Sequence, residues 1–185
     1  MVISIIIWSA WFLSEILLTR LLRSGVSDLK NQDKGSIRII WITIGIANTA
    51  GILASLYLKA PISASWVITY IGLSVIVLGM LIRFFSIRSL GRFFTVDVTI
   101  RKDHKLKTDG IYRVVRHPSY TGSLLSFTGF GISINNWISV IVITILVAMA
   151  MLYRISIEEK LLMKQFGAEY SDYRKKTCRL IPWIY

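Results

Sequence analysis

A single cysteine, Cys178, stands in a chain of 185 residues. An intrachain disulfide is therefore excluded, as is any cysteine-based zinc site, and no metal site is assigned. Charge is also scarce. Lys, Arg, Asp and Glu together make up 17% of the residues, below the roughly 25% of an average soluble domain. Acids are the scarcer sign, with 10 against 22 basic residues and a formal net charge of +12. No Gly-x-Gly-x-x-Gly fingerprint occurs, so nothing marks a Rossmann nucleotide site. Internal repeats, low-complexity tracts and a flexible interdomain linker are all missing, which leaves 1–185 as one domain.

What fills the chain instead is apolar. Hydrophobic residues make up 54% of the sequence, and the mean hydropathy is +0.61. Five apolar runs, about 1–19, 39–58, 66–85, 119–134 and 137–153, read as spans, followed by a polar region 154–185. The expected fold class is an all-α integral membrane protein of about five transmembrane helices, ending in a helical hairpin. The first run has no basic n-region and no small-x-small cleavage site, so it reads as a retained helix rather than a cleaved signal. Its one acid, Glu15, is expected to face other helices, where a polar contact is the plain reading and a substrate role the sharper one. Gly45, Gly51, Gly72 and Gly79 give the second and third runs small faces for close packing. The fourth run is short, about 22 Å as a helix from Tyr120 to Ile134, and Asn135-Asn136 then turns the chain.

The basic residues are not spread evenly. Segments 20–38, 83–118 and 154–185 carry 5, 9 and 7 of the 22 Lys and Arg, and only Lys59 lies elsewhere. With five spans those three segments share one side of the membrane, so the positive-inside rule puts them in the cytosol and the N-terminus outside. That distribution explains the net charge without nucleic acid. Within the longest polar segment, Thr95–Ile100 alternates and is expected to be extended, and Asp109-Gly110 signals a turn. Gly167 is expected to break the last long helix, a short helix to follow over Glu169–Lys176, and the apolar tail Leu180–Tyr185 to dock on the protein or the interface.

The stretch Tyr112–Tyr120 has the most specific chemistry. Proline disfavours α geometry at His117 yet suits the first turn of a helix, so a helix is expected to begin at Pro118 with His117 as its cap. Its free N–H groups, beside Arg113, Arg116 and His117, would suit an anionic group. On the same membrane face lie Glu158-Glu159 and the segment carrying Tyr170, Tyr173, Arg174, Lys175, Lys176 and Arg179. Arg154 and Glu158 are i,i+4 neighbours, and simple ion pairing is the bland account of these acids.

Taken in order, Tyr112-Arg-x-x-Arg-His-Pro-Ser-Tyr-x-Gly122, a hairpin, then Glu158-Glu159-x-x-Leu162-x-x-x-Phe166-Gly167-x-x-Tyr170-x-x-Tyr173 and Pro182 resemble the isoprenylcysteine carboxyl methyltransferase family. Membrane phospholipid methyltransferases share much of the pattern. The resemblance covers about 91–185; the first three spans match only as hydrophobic segments. It implies an S-adenosylmethionine-dependent enzyme with a cytosolic cofactor pocket, giving S-adenosylhomocysteine as product. By position, His117, Tyr120, Glu158 and Glu159 are implied as cofactor-binding, with backbone at Val114, Val115 and Arg116. Lys176, Arg179 and Glu158 are the implied catalytic residues. Family members that act on prenylcysteine carry an arginine three residues after the second tail tyrosine, where this chain has Lys176, a point charge instead of a fork.

The acceptor implied is a lipophilic small molecule or lipid entering from the bilayer, with membrane lipids as a further partner and no nucleic acid. Isoprenylcysteine-type carboxyl O-methylation leads. N-methylation of a phospholipid amine and S-methylation of a thiol stay open, and the acceptor's identity and the oligomeric state are undetermined. Eukaryotic members have more spans, so the length points to a prokaryotic cell membrane, where prenylated protein tails are not the expected acceptor. A non-enzymatic alternative is a lipid- or partner-binding membrane protein using the basic face.

Overall fold

The computed structural model describes residues 2–21, 35–91, 94 and 106–182. Thr95–Ile100, most of the 20–38 loop and the last three tail residues lie outside the described residues. Six α-helices occur among the described residues: α1 (Val2–Leu21), α2 (Ser36–Tyr57), α3 (Val67–Leu90), α4 (Pro118–Ser133), α5 (Trp137–Phe166) and α6 (Ala168–Lys176). A 3₁₀ turn, Gly110–Arg113, follows the Asp109-Gly110 turn signal.

Four of these helices, α1, α2, α3 and α5, are long and apolar enough to cross a membrane. Helix is the form that satisfies every backbone polar group within one segment in lipid. Their outward faces carry exposed large apolar residues, such as Ile6, Leu13, Ile46, Leu56, Leu81, Phe84, Ile145 and Met149. Such faces suit a lipid surround, and the chain is an integral membrane protein. Two of the helices run well past their expected C-terminal ends. The third reaches Leu90, and α5 continues as one 30-residue helix through Arg154 to Phe166, about 45 Å long. No proline or glycine interrupts α5 until Gly167, whose φ of +52° ends it.

Helix α4 is different. With 16 residues it is about 24 Å long, short of the roughly 30 Å hydrocarbon core. Ten of its residues are buried, mostly Gly and Ser, and none of its large side chains is among the exposed ones. It is wrapped by protein rather than lipid, which removes the need for a full-length apolar cylinder.

Small residues make that wrapping possible. A Cβ on Gly79 would lie 2.3 Å from Ser126 Oγ and 2.4 Å from the Gly122 carbonyl oxygen, so α3 and α4 touch backbone to backbone. Buried hydroxyls donate to neighbouring backbone: Ser126 Oγ to the Ile76 carbonyl at 3.1 Å, and Ser139 Oγ to the Gly51 carbonyl at 2.6 Å. The apolar core gathers Trp11, Ile76, Phe127, Phe130, Ile143 and Val147, with the Trp11 ring edge-on to Phe127 at 4.8 Å between centroids.

The end away from the His-Pro segment is stapled by two asparagines. Asn135 Oδ1 accepts from the backbone N–H of Ile62 and Ser63, both at 3.1 Å, and its Nδ2 donates to the Ser63 carbonyl at 2.8 Å. Asn136 Oδ1 caps α5 by accepting from Ser139 N–H at 3.1 Å. The α4–α5 turn and the α2–α3 loop are thereby one unit, which sets the opposite end of α4 against α5.

Candidate functional site

The helix start expected at Pro118 is present, with His117 at its cap and 4% exposed. What holds it is the C-terminal segment. Arg116 N–H donates to the Cys178 carbonyl at 2.9 Å, His117 N–H to the Arg179 carbonyl at 3.2 Å, and Cys178 N–H to the Val114 carbonyl at 3.0 Å. Val115 and Cys178 form an isolated parallel bridge. Val115 is buried and Val114 exposed. The backbone N–H groups of Arg116 and His117 are thus engaged by the tail.

The Arg116 side chain serves the same junction. Its Nε donates to Glu159 Oε1 at 3.1 Å, and an Nη donates to the Arg174 carbonyl at 3.1 Å and to the Thr177 carbonyl. Thr121 Oγ1 donates to the Leu180 carbonyl at 2.6 Å, so the tail docks on α4 up to the buried Leu180. Tyr173 Oη donates to the Tyr112 carbonyl at 2.6 Å, and Tyr112 Oη to the Ser86 carbonyl at 3.2 Å. Burial pushes the phenols of Tyr112, Tyr170 and Tyr173 well above their ordinary pKa. The Tyr112 and Tyr173 hydroxyls therefore stay donors, one tying the 3₁₀ turn to α3 and the other tying α6 to that turn.

Adjacent acids on α5 have different surroundings. Glu159 is saturated. Besides Arg116, it accepts from an Arg179 Nη at 2.8 Å, and His117 Nε2 lies 3.3 Å from its Oε1. A carboxylate can only accept here, so Nε2 carries the ring proton toward it. Glu158 is more open, with its side chain 32% exposed. Its Oε2 accepts from Tyr120 Oη at 3.0 Å, while among the described residues its Oε1 has only His117 Nδ1, at 3.9 Å.

Arg154 completes the cluster, and sequence reasoning undervalued it. Only 3% exposed, it donates from Nε to Tyr120 Oη at 2.9 Å and from an Nη to Ser36 Oγ. The expected i,i+4 pairing with Glu158 thus has the Tyr120 hydroxyl set between the two groups. Arg154 fixes the phenol oxygen as acceptor, which directs the phenol proton at Glu158. The available sequence signal was an arginine one helical turn before Glu158, at the point where the long apolar run ends.

The structure therefore brings together His117, Tyr120, Glu158, Glu159, Arg116 and Arg179. It does not bring in Lys176, which is exposed on α6 and makes no hydrogen bond or ion pair among the described residues. Arg113 is exposed as well. Three guanidiniums, of Arg116, Arg154 and Arg179, surround two carboxylates. One acid is neutralised and the other keeps an unused lone-pair face. Nearby, the Tyr170 hydroxyl is buried with no hydrogen-bond partner among the described residues. A polar orphan beside an open carboxylate fits a polar, partly cationic ligand better than an apolar one.

A polytopic helical membrane protein with a buried polar cluster at one end is the class that this fold and site define. The phospholipid methyltransferase family profile matches residues 67–169. Protein-S-isoprenylcysteine O-methyltransferase B of Arabidopsis thaliana is 36% identical over 121 residues, covering 64% of this chain and 61% of the relative. Protein-S-isoprenylcysteine O-methyltransferase A of the same plant is 31% identical over 134 residues, covering 71% and 68%. The Schizosaccharomyces pombe enzyme is 36% identical over 115 residues, covering 61% and 49%. Among solved structures, the eukaryotic intramembrane Ras methyltransferase, isoprenylcysteine carboxyl methyltransferase, aligns with a TM-score of 0.60 at 30% identity, over 86% of this chain and 55% of that one.

The chain belongs to the isoprenylcysteine carboxyl methyltransferase family and matches the phospholipid methyltransferase profile over more than half its length. It spans about six tenths of the length of the first curated relatives it matches, 61% and 63%. These relatives are plant and fungal, and they give the expected prokaryotic setting no support. A family of methyltransferases implies a methyl donor.

Proposed function

We propose that the protein is a membrane-embedded methyltransferase that takes its methyl group from S-adenosylmethionine and transfers it to a lipophilic acceptor. The observation that carries this reading is the pairing of a saturated Glu159 with an open Glu158 at the His-Pro helix start. The cofactor supplies an activated methyl on a sulfonium, together with an ammonium and ribose hydroxyls. Glu158 would accept from its cationic or hydroxyl groups, held by Tyr120, which Arg154 fixes in turn. His117, locked by Glu159, would line the same pocket, and Tyr170 offers a further donor. Glu159 itself holds Arg116 and Arg179 in place, so its role is to join α5, the His-Pro segment and the tail.

Methyl transfer is an in-line displacement, helped by alignment and by exclusion of water. A carboxylate acceptor needs no general base, and the names of the curated relatives favour an isoprenylcysteine-type carboxyl group. Of the two residues expected to clamp it, Arg179 has the better placement, at the cluster's edge with its side chain 23% exposed. The basic segments are read as cytosolic, which puts the pocket on that face. A second reading is N-methylation of a phospholipid amine, favoured by the match to the phospholipid methyltransferase profile.

Calorimetry of S-adenosylhomocysteine with the detergent-purified protein tests the cofactor site. Binding in the micromolar range, weakened about tenfold or more by Glu158→Gln, is expected. No binding by folded protein would overturn the proposal. Transfer of radiolabelled methyl to a farnesylcysteine derivative, against transfer to phosphatidylethanolamine, separates the two acceptor readings.

A further inference from the structure

Among the described residues, the pair Glu15–Arg83 is the one buried charge pair that the site described above does not use. Glu15 lies on α1 and Arg83 on α3, with side chains 9% and 14% exposed and Nε 3.1 Å from Oε1. It is an ion pair by distance, though the N–H is not aligned as a hydrogen bond. The other side of the guanidinium is turned to α4. One Nη donates to Ser119 Oγ at 3.0 Å and to the Ser119 carbonyl at 3.2 Å. Ser119 sits in the first turn of α4, between His117 and Tyr120. Gly122 has no side chain to hold Arg83 away: a Cβ there would lie 2.7 Å from Arg83 N and 3.1 Å from Arg83 Cβ. At the other end of α4, Trp8 Nε1 donates to Ser133 Oγ at 3.0 Å. Polar pegs from α1 thus fix α4 at both ends, and the one at the site end runs through Arg83.

We infer that Glu15 and Arg83 are positioning residues: α1, through Arg83, sets the first turn of α4 and with it His117 and Tyr120. A charged pair in an apolar bundle carries a desolvation cost, and well-packed apolar residues often replace such a pair without loss of stability. Arg83 directs two hydrogen bonds from one Nη at one turn, which a packing contact does not do. Glu15 keeps the guanidinium's charge compensated and that Nη aimed at Ser119. This role presupposes the cofactor site proposed above, so wild-type binding comes first.

The test is the double variant Glu15→Leu/Arg83→Met, with S-adenosylhomocysteine affinity by calorimetry and thermal unfolding of the ligand-free protein measured together. Positioning predicts about a tenfold loss of affinity at an unfolding temperature equal to or above wild type. Wild-type affinity in the folded double variant overturns the inference and leaves the cofactor site standing. If the double variant does not fold, Ser119→Ala decides: roughly threefold weaker binding supports the role, and unchanged binding overturns it. Absence of wild-type binding overturns the site reading and removes the positioning role with it.

Discussion

The Tyr120 hydroxyl accepts from Arg154 and donates to Glu158, and so does work that neither charged group can do alone. Tyr120→Phe removes one oxygen. It leaves a buried guanidinium short of an acceptor and an acid free to swing. Hydrogen bonds to charged groups are worth about 1.5–3 kcal/mol, so S-adenosylhomocysteine affinity is expected to fall at least tenfold, with a lower unfolding temperature. Unchanged affinity in calorimetry would place Tyr120 outside the pocket. Arg179 and Lys176 make a second comparison. Arg179 reaches Glu159 inside the cluster, whereas Lys176 is exposed on α6. Arg179→Ala is expected to cut methyl transfer by an order of magnitude or more, and Lys176→Ala by less than about twofold. The reverse order in a transfer assay would restore the lysine as the acceptor clamp. Sequence placed both near the site but could not choose between them, because Lys176 lies on the last turn of a helix and Arg179 beyond it. The direction of the chain after α6 is set by the bridge to Val115.

At the scale of elements, the α3–α4 contact sets the geometry of everything attached to α4. Gly79→Val would drive a branched side chain into Ser126 and the Gly122 carbonyl. Overpacking costs typically 1–3 kcal/mol, and here backbone cannot yield, so a fall in unfolding temperature with loss of ligand binding is expected. Gly45→Ala, whose Cβ meets nothing within 4 Å, is the control and is expected to be neutral or mildly stabilising. If both variants melted alike, the close approach would carry no weight. Helix α6 is tied to the 3₁₀ turn by the Tyr173 phenol. The folded-state pKa of Tyr173 is raised by burial above the ordinary 10.0. Below about pH 10 folded and unfolded chains are both protonated there, and its contribution to stability is level. Above it the unfolded chain ionises first, so stability declines as pH rises toward the folded value. Melting curves from pH 8 to 11 should show that decline, and Tyr173→Phe should flatten part of it. An identical pH slope in the variant would deny the phenol this role. The helices themselves were legible as apolar runs. Their ends were not: α5 passes through Arg154, Glu158 and Glu159 because those side chains point into a polar cluster that only the fold creates.

For the whole molecule, four helices have the length to cross and α4 does not, yet α4 leads from the His-Pro segment to the Asn135 turn at the opposite end. Were α4 to make the fifth crossing, the positive-inside rule would put the two termini on opposite sides, because segments 20–38, 83–118 and 154–185 carry 21 of the 22 basic residues. In sealed vesicles with the cytosolic face inward, a tag after Tyr185 is expected to be protected from protease and a tag before Met1 to be digested. Equal protection of the two tags would mean an even number of crossings, and digestion of the C-terminal tag would overturn the cytosolic placement of the site.

Composition and hydropathy by themselves determined an all-helical membrane protein, because an 18-residue apolar run has few other stable forms in water or lipid. The His-Pro pair determined where α4 begins, since proline constrains the residue before it and lacks an N–H to leave unsatisfied. Which acid is neutralised and which stays open was decided only in three dimensions. Glu158 and Glu159 are neighbours in sequence, but about 100° of helical turn separates their side chains. One meets Arg116, His117 and Arg179, and the other meets Tyr120. Tertiary structure alone also joined Glu15 to Ser119 through Arg83, because the three lie on separate helices. A sequence records which side chains each helix carries; the packing of small residues in α3 against α4 decides which of them meet.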